Sequence, residues 1–132
     1  MAARAKKTKT TTEAAASLIA AKAAALAGLE KKAEDVVVLD IRELASYADY
    51  LVLMSAASDR QASAVADAAD DALRLNGQRP IGVEGAQAGQ WLLLDTGDIV
   101  VHVFQKDARD FYDLDSLWAD APRVAVEAPP AS

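Results

Sequence analysis

Two apolar runs, 91–94 and 99–104, flank the polar Asp95-Thr96-Gly97-Asp98 in WLLLDTGDIVVHVF, and this pattern predicts a β-hairpin whose period of two separates two faces. With Thr96-Gly97 as a two-residue turn, Asp95 faces Asp98, Leu94 faces Ile99, Leu93 faces Val100, Leu92 faces Val101 and Trp91 faces His102. One face then carries Leu92, Leu94, Ile99, Val101 and Val103, all aliphatic, which suits a core. The other carries Trp91, Leu93, Val100, His102 and Phe104, with Asp95 and Asp98 at its tip, which suits a partner. Two carboxylates opposed across a hairpin repel. A solvated turn, in which each Asp caps local N–H groups, relieves this, and so does a cation on a partner. At this level both readings stand.

Elsewhere the period lengthens or disappears. A helix is predicted from residue 13 to about Gly28 or Leu29, with Thr10 and Glu13 as its capping box. Ala15, Leu18, Ile19, Leu26 and Leu29 share one side of it, interrupted by Lys22. Its alanines favour helix but bury little area, so it is expected at the periphery. VVVLDI at 36–41 and YLVLMSA at 50–56 are almost continuously apolar, as strands covered on both faces are. The link between them is too short for a helical crossover, so they should pair antiparallel. Ser58 with Gln61 opens a second helix, which Asn76-Gly77 ends. Its buried stripe is Ala62, Val65, Ala66, Ala69 and Leu73, and its wet side is Asp67, Asp70, Asp71 and Arg74. Pro80 to Val83 reads as a short edge strand, Glu84-Gly85 to Gly89 as a turn, and 107–112 and 114–118 as short helical turns. The order predicts an α/β domain: a mixed five-stranded sheet with helices on both faces. Its expected limits are 13–121, between a disordered basic tail at 1–12 and a flexible C-terminal tail at 122–132.

A length of 132 residues suits one core. No apolar run is seen to approach the roughly 20 residues of a membrane span, so no membrane is expected. The chain has no Cys, which excludes disulfides and thiolate chemistry and fits a reducing compartment. Its single His leaves no multi-His metal site. Arg4, Lys6, Lys7 and Lys9 give residues 1–9 a charge of +4, so the rest carries −10 of the total of −6. An acidic body is unsuited to reading nucleic acid and better suited to a basic protein partner.

Candidate chemistry is thin. Asp40, Asp49, Asp95 and Asp98 lie at strand ends or turns, where carboxylates can hold Mg²⁺ for phosphoryl transfer. No Gly-rich phosphate loop accompanies them. Ser58-Asp59-Arg60 opens a helix and offers N–H groups to an anion, though capping alone explains it. His102 as a general base beside Asp95 or Asp98 competes with a packed or partner-facing His, and neither Ser55 nor Ser58 has a triad. Aromatics say more. Most fall near the C-terminus, and Trp91, Phe104, Tyr112 and Trp118 stand out. They build either a small C-terminal core or interface anchors, with Trp91 favouring the interface. DARDFYDLDSLWAD surrounds them with Asp107, Asp110, Asp113, Asp115 and Asp120 against one Arg109. An acidic rim around aromatic anchors suits a basic surface.

Five segments in order, VVVLDIREL, ADYLVLMSAASDRQASAVAD, PIGVEG, WLLLDTGDIVVHVF and FYDLDSLWADAP, resemble the ribosomal silencing factor (RsfS or Iojap-like) family over about residues 13–123. The resemblance implies a nucleotidyltransferase-like fold without that superfamily's catalytic pattern, no enzyme activity, no cofactor and no metal. It implies a cytoplasmic translation repressor that binds ribosomal protein fourteen of the 50S-type large ribosomal subunit. There it sterically blocks small-subunit joining, and it also attends large-subunit maturation. Carried onto this chain, the partner-binding surface is Trp91, Leu93, Asp95, Asp98, Val100, His102, Phe104, Tyr112, Leu117 and Trp118. The alternative is a divergent Mg-dependent nucleotidyltransferase using acids such as Asp95 and Asp98. A third reading is a homodimer that hides the aromatic face when free.

Overall fold

The protein is described as a computed structural model over residues 11–81, 83–85 and 90–126. The basic tail, the Thr10 half of the first capping box, most of the predicted 84–89 turn and residues 127–132 lie outside the described residues. The elements run α1 (Thr11–Glu30), β1 (Glu34–Asp40), β2 (Tyr50–Ala56), α2 (Asp59–Leu75), β3 (Val83–Gly85), β4 (Trp91–Asp95), β5 (Ile99–Gln105), α3 (Lys106–Tyr112), α4 (Leu114–Leu117) and β6 (Arg123–Val124). The strands form one mixed sheet in the order β3-β4-β5-β2-β1-β6, with β2 and β5 parallel and every other pair antiparallel.

The apolar runs explain its centre. β2 is buried along its whole length, and its side chains alternate between two cores. Tyr50, Val52, Met54 and Ala56 join Ile99, Val101, Val103 and Leu94 beneath α1 and α2. Leu51 and Leu53 join Leu39, Val100 and Phe104 on the reverse, under α3, α4 and the link from Ile41 to Ala48. The mixed α/β sheet covered on both faces therefore holds, with two long helices on one side and two short ones on the other.

A sixth strand adds to the expected five. Arg123 and Val124 pair with Leu39 and Val38, so order continues past Pro122 into what reads from sequence as tail. Two residues carry no periodicity, and only the open edge of β1 recruits them.

The hairpin keeps its faces but shifts its register. Trp91 pairs with Phe104, Leu92 with Val103, Leu93 with His102, Leu94 with Val101 and Asp95 with Val100. Thr96 N–H donates to the Ile99 carbonyl at 2.9 Å, so Gly97-Asp98 forms the turn, rather than Thr96-Gly97. Gly97 has φ +93°, and it sits at the first central position, where a two-residue hairpin turn accepts glycine. The Thr96 hydroxyl accepts from Ile99 N–H and donates to Gln78 Oε1, tying the turn to the end of α2. A shift of two leaves every paired side chain on its predicted face. It removes the direct opposition of Asp95 and Asp98; Asp95 instead accepts from Gly97 N–H at 2.8 Å.

α2 follows the sequence closely. Ser58 caps it, accepting from Gln61 N–H at 3.1 Å, and its buried residues are Ala62, Val65, Ala66, Ala69 and Leu73. Gln61 accepts from Ala57 N–H and donates to the Lys31 and Lys32 carbonyls, joining the start of α2 to the end of α1. β3 sits a few residues later than expected, at the sheet edge.

α1 departs most. It is central, not peripheral, and the face it buries is Ser17, Ala20, Ala21, Ala24 and Ala25, while Ile19 is 58% exposed. Small side chains let α1 approach α2 and β2 closely. A Cβ on Gly28 would overlap Met54 Sδ. The helix is apolar all round, so size rather than hydrophobicity selects the face. Its stretch Thr12–Glu30 is also long and apolar enough to cross a membrane by length and composition, contrary to the expectation from sequence, although a third of it is buried in this fold.

Candidate partner-binding surface

The reverse face of the hairpin builds an aromatic cluster. Alternation puts Trp91 on that face of β4, and His102 and Phe104 on the same face of β5. α3 follows β5 directly and lays Tyr112 against Trp91, with ring centroids 4.6 Å apart. Trp91 also stacks on Phe104 at 5.1 Å, and His102 stacks on Phe104 at 5.8 Å. Each such ring pair adds about 0.5–1.5 kcal/mol beyond its area.

Trp91 and His102 are diagonal rather than opposite, and the indole reaches across. Its Nε1–H donates to His102 Nδ1 at 3.0 Å. That bond requires a lone pair on Nδ1, so the imidazole is neutral with its proton on Nε2. Burial lowers the His102 pKa to about 4, partly opposed by the charge of Asp95. His102 is thus a packed, neutral hydrogen-bond acceptor.

The ten residues expected from sequence divide by depth. Trp91, Leu93, Asp95, Asp98 and Trp118 are half-buried, and Tyr112 and Leu117 are exposed. Val100, His102 and Phe104 are buried, His102 to 7% exposure, and this corrects their expected place at the surface. The reverse face is not open, because Ala48, Ala108 and Ala121 cover it together with Trp118 and Leu114. His102 instead lies against the Trp91 ring and Phe104 against the Trp91 and Tyr112 rings, and Val100 packs in the same core.

Sequence reading missed several exposed apolar side chains on the covering segments. Phe111 is 81% exposed beside Tyr112, its ring edge-on at 5.1 Å. Leu117 on α4, one of the ten expected residues, is 71% exposed alongside them. Leu44 and Tyr47 protrude from the link between β1 and β2, and Tyr47 contacts Trp118 at 6.3 Å. Burial, with a smaller push from Asp95, raises the Tyr47 pKa. The available signal was Phe111 beside Asp110 in a segment rich in acids, on a helix of only two turns.

Asp113 joins α3 to α4 in the left-handed region at φ 49°. Arg109, one turn earlier, is buried and holds Asp115 of α4 through two hydrogen bonds of 2.9 and 3.0 Å. That contact holds the Asp115 carboxyl below the usual carboxylate range. Beside this pair opens a polar cavity of about 630 Å³, bordered by Asp110 and Asp113 and by Lys106 and Arg123. Asp40, one of the expected metal acids, is engaged by Arg42 at 2.7 Å. Among the described residues no group of three or more His, Asp or Glu side chains is placed to hold a metal ion.

The family model "Ribosomal silencing factor during starvation" matches residues 11–132, from the first described turn of α1 onward. The chain belongs to the ribosomal silencing factor family. A Bacillus subtilis (strain 168) family member, "Ribosomal silencing factor RsfS", is 43% identical over 106 residues, covering 80% of this chain and 90% of that protein. A mouse protein, "Mitochondrial assembly of ribosomal large subunit protein 1", is 28% identical over 92 residues, covering 67% of this chain and 40% of that one. The fold agrees with a crystal structure of a Chromobacterium violaceum protein at a TM-score of 0.72 and 32% identity, covering 85% of this chain and 92% of that one.

Proposed function

We propose that this chain docks on the large ribosomal subunit, through its ribosomal protein fourteen, and keeps the small subunit from joining. Family membership gives the ribosomal context. One observation carries the assignment to a surface: Phe111, Tyr112 and Leu117 stand exposed on α3 and α4, with the Tyr112 ring set against Trp91 and the buried Phe104. Large apolar side chains held against packed neighbours lose little freedom on docking, which favours affinity. Asp107, Asp110, Asp113 and Asp120 around them are exposed, and their charge steers the face toward a basic protein. Half-buried Trp91 and Leu93 continue the same face, with Asp95 and Trp118 also half-buried, while Asp98 in the turn accepts from Gln78 Nε2 at 3.5 Å.

The mechanism is steric and involves no bond-making, so neither cofactor nor metal takes part. A domain of this length is roughly 30 Å across, enough to overlap an incoming subunit if seated on the joining face. Repression of translation in the cytoplasm follows. The name of the mouse relative supports a further role in large-subunit maturation. Free chain would self-associate through the same apolar face, in competition with the subunit.

The test uses isolated large and small subunits in separate pull-downs, followed by a joining assay. Wild-type chain should bind large subunits and inhibit joining. Leu117→Ala and Phe111→Ala should each weaken binding by about 1–2 kcal/mol while the fold is unchanged, since both side chains are mostly outside the core. Binding that survives both substitutions would place the contact elsewhere. Sedimentation at several concentrations reads the self-association.

A further inference from the structure

We propose that Arg109 is the positioning residue of this docking surface. It acts through Asp115 to hold α3 and α4 at the angle that presents Phe111, Tyr112 and Leu117. The inference rests on the functional reading above and adds to it the device that shapes the site.

Arg109 is 8% exposed, and its guanidinium joins four elements. Nε and one terminal nitrogen grip the two Asp115 oxygens of α4. The other terminal nitrogen donates to the Asp35 carbonyl of β1 at 2.6 Å and to Ser55 Oγ of β2 at 2.9 Å. The planar fork fits a carboxylate on one side and two fixed oxygens on the other, which a lysine ammonium cannot do in one geometry.

The backbone is bent around this contact. β1 bulges between Glu34 and Val37, with Asp35 at φ 49°, and this brings its carbonyl to Arg109. Asp113, the hinge between the two short helices, also has φ 49°. Two of the three described non-glycine residues in the left-handed region thus flank one guanidinium. Such residues persist where the surroundings over-determine them.

Helices this short do not hold themselves. α3 spans seven residues and α4 four, and neither N-cap position makes a side-chain capping bond. No residue of α4 is buried. Its described polar tie to the sheet runs through Asp115 and Arg109. A buried ion pair adds little stability over apolar packing. Its consequence here is geometric: it fixes where Leu117 and Tyr112 stand relative to Trp91.

Full-length Arg109→Lys and Asp115→Asn test this, at a temperature where circular dichroism shows both fully folded. Two quantities are read: amide hydrogen exchange over residues 111–118 against β2 and β5, and affinity for isolated large subunits. We expect exchange over 111–118 to quicken by ~10-fold or more with β2 and β5 unchanged, and binding to weaken by ~10-fold, because the segment must then be ordered on docking. A role in general stability would loosen β2 and β5 as well, and that outcome overturns the proposal. So does unchanged exchange over 111–118, or quickened exchange with wild-type affinity. Should Arg109→Lys fail to fold, Asp115→Asn carries both readouts, since Asp115 is only half-buried. A wild-type chain that ignores large subunits overturns the functional reading and this inference with it; wild-type binding with unimpaired variants overturns this inference alone.

Discussion

Replacing His102 with Gln should flatten the dependence of stability on pH below neutrality. In the folded chain His102 accepts a bond from Trp91 and stays neutral down to about pH 4. In the unfolded chain an imidazole takes up its proton near the ordinary 6.5. Between these values the unfolded state binds more protons, so stability rises with pH across the window. The contribution is complete above about 6.5 and lost as pH falls through it toward about 4. At 1.36 kcal/mol per pH unit, the span from 6.5 to about 4 is worth roughly 3 kcal/mol. Carboxylates titrate in the same range, so the informative quantity is the difference between wild type and His102→Gln. Gln keeps an oxygen able to accept from Trp91 but does not titrate. Urea unfolding at pH 4.5, 5.5, 6.5 and 7.5 would measure it. The wild-type curve should fall away from the variant's by one to a few kcal/mol toward the acid end. Parallel curves would mean that His102 is solvated or already charged, and the account of the Trp91–His102 contact would be wrong.

Gly28→Ala should destabilise by about 1–3 kcal/mol in a denaturant titration, because its methyl group overlaps Met54 Sδ in a filled core; an unchanged midpoint would mean that α1 does not approach β2 so closely. Ser58→Ala should cost about 1 kcal/mol through loss of the α2 cap. Gln61→Ala should cost more, since that side chain also bonds the Ala57 N–H and the Lys31 and Lys32 carbonyls. Equal losses would show that the joint between α1 and α2 adds nothing.

Local patterns were legible where one residue type had one reading. The stripe on α2, its Ser58 cap, the antiparallel pairing of β1 with β2 and the two faces of the hairpin each follow from a single periodicity or a short link. The faces even tolerate a wrong turn, because a register shift of two preserves the alternation of side chains. Of the residues expected at the surface, Tyr112 and Leu117 are exposed and Trp91 and Trp118 half-buried.

Depth was a different matter. Alternation tells which face a side chain joins, not whether that face is then covered. Val100, His102 and Phe104 became buried because α3, α4 and the link after β1 close over them, and those segments have no period long enough to announce it. Packing also chose the face of α1, since a helix apolar all round buries the side that fits closest, and alanines fit closer than leucines. Arg109 looked from sequence like one cation among acids; only folding brings Asp35, Ser55 and Asp115 around it. The chain by itself determined its elements and their sides, because those depend on neighbours a few residues away. Tertiary structure decided which sides stay wet and what the buried charge holds, because those depend on residues that meet only when distant parts of the chain compete for the same space.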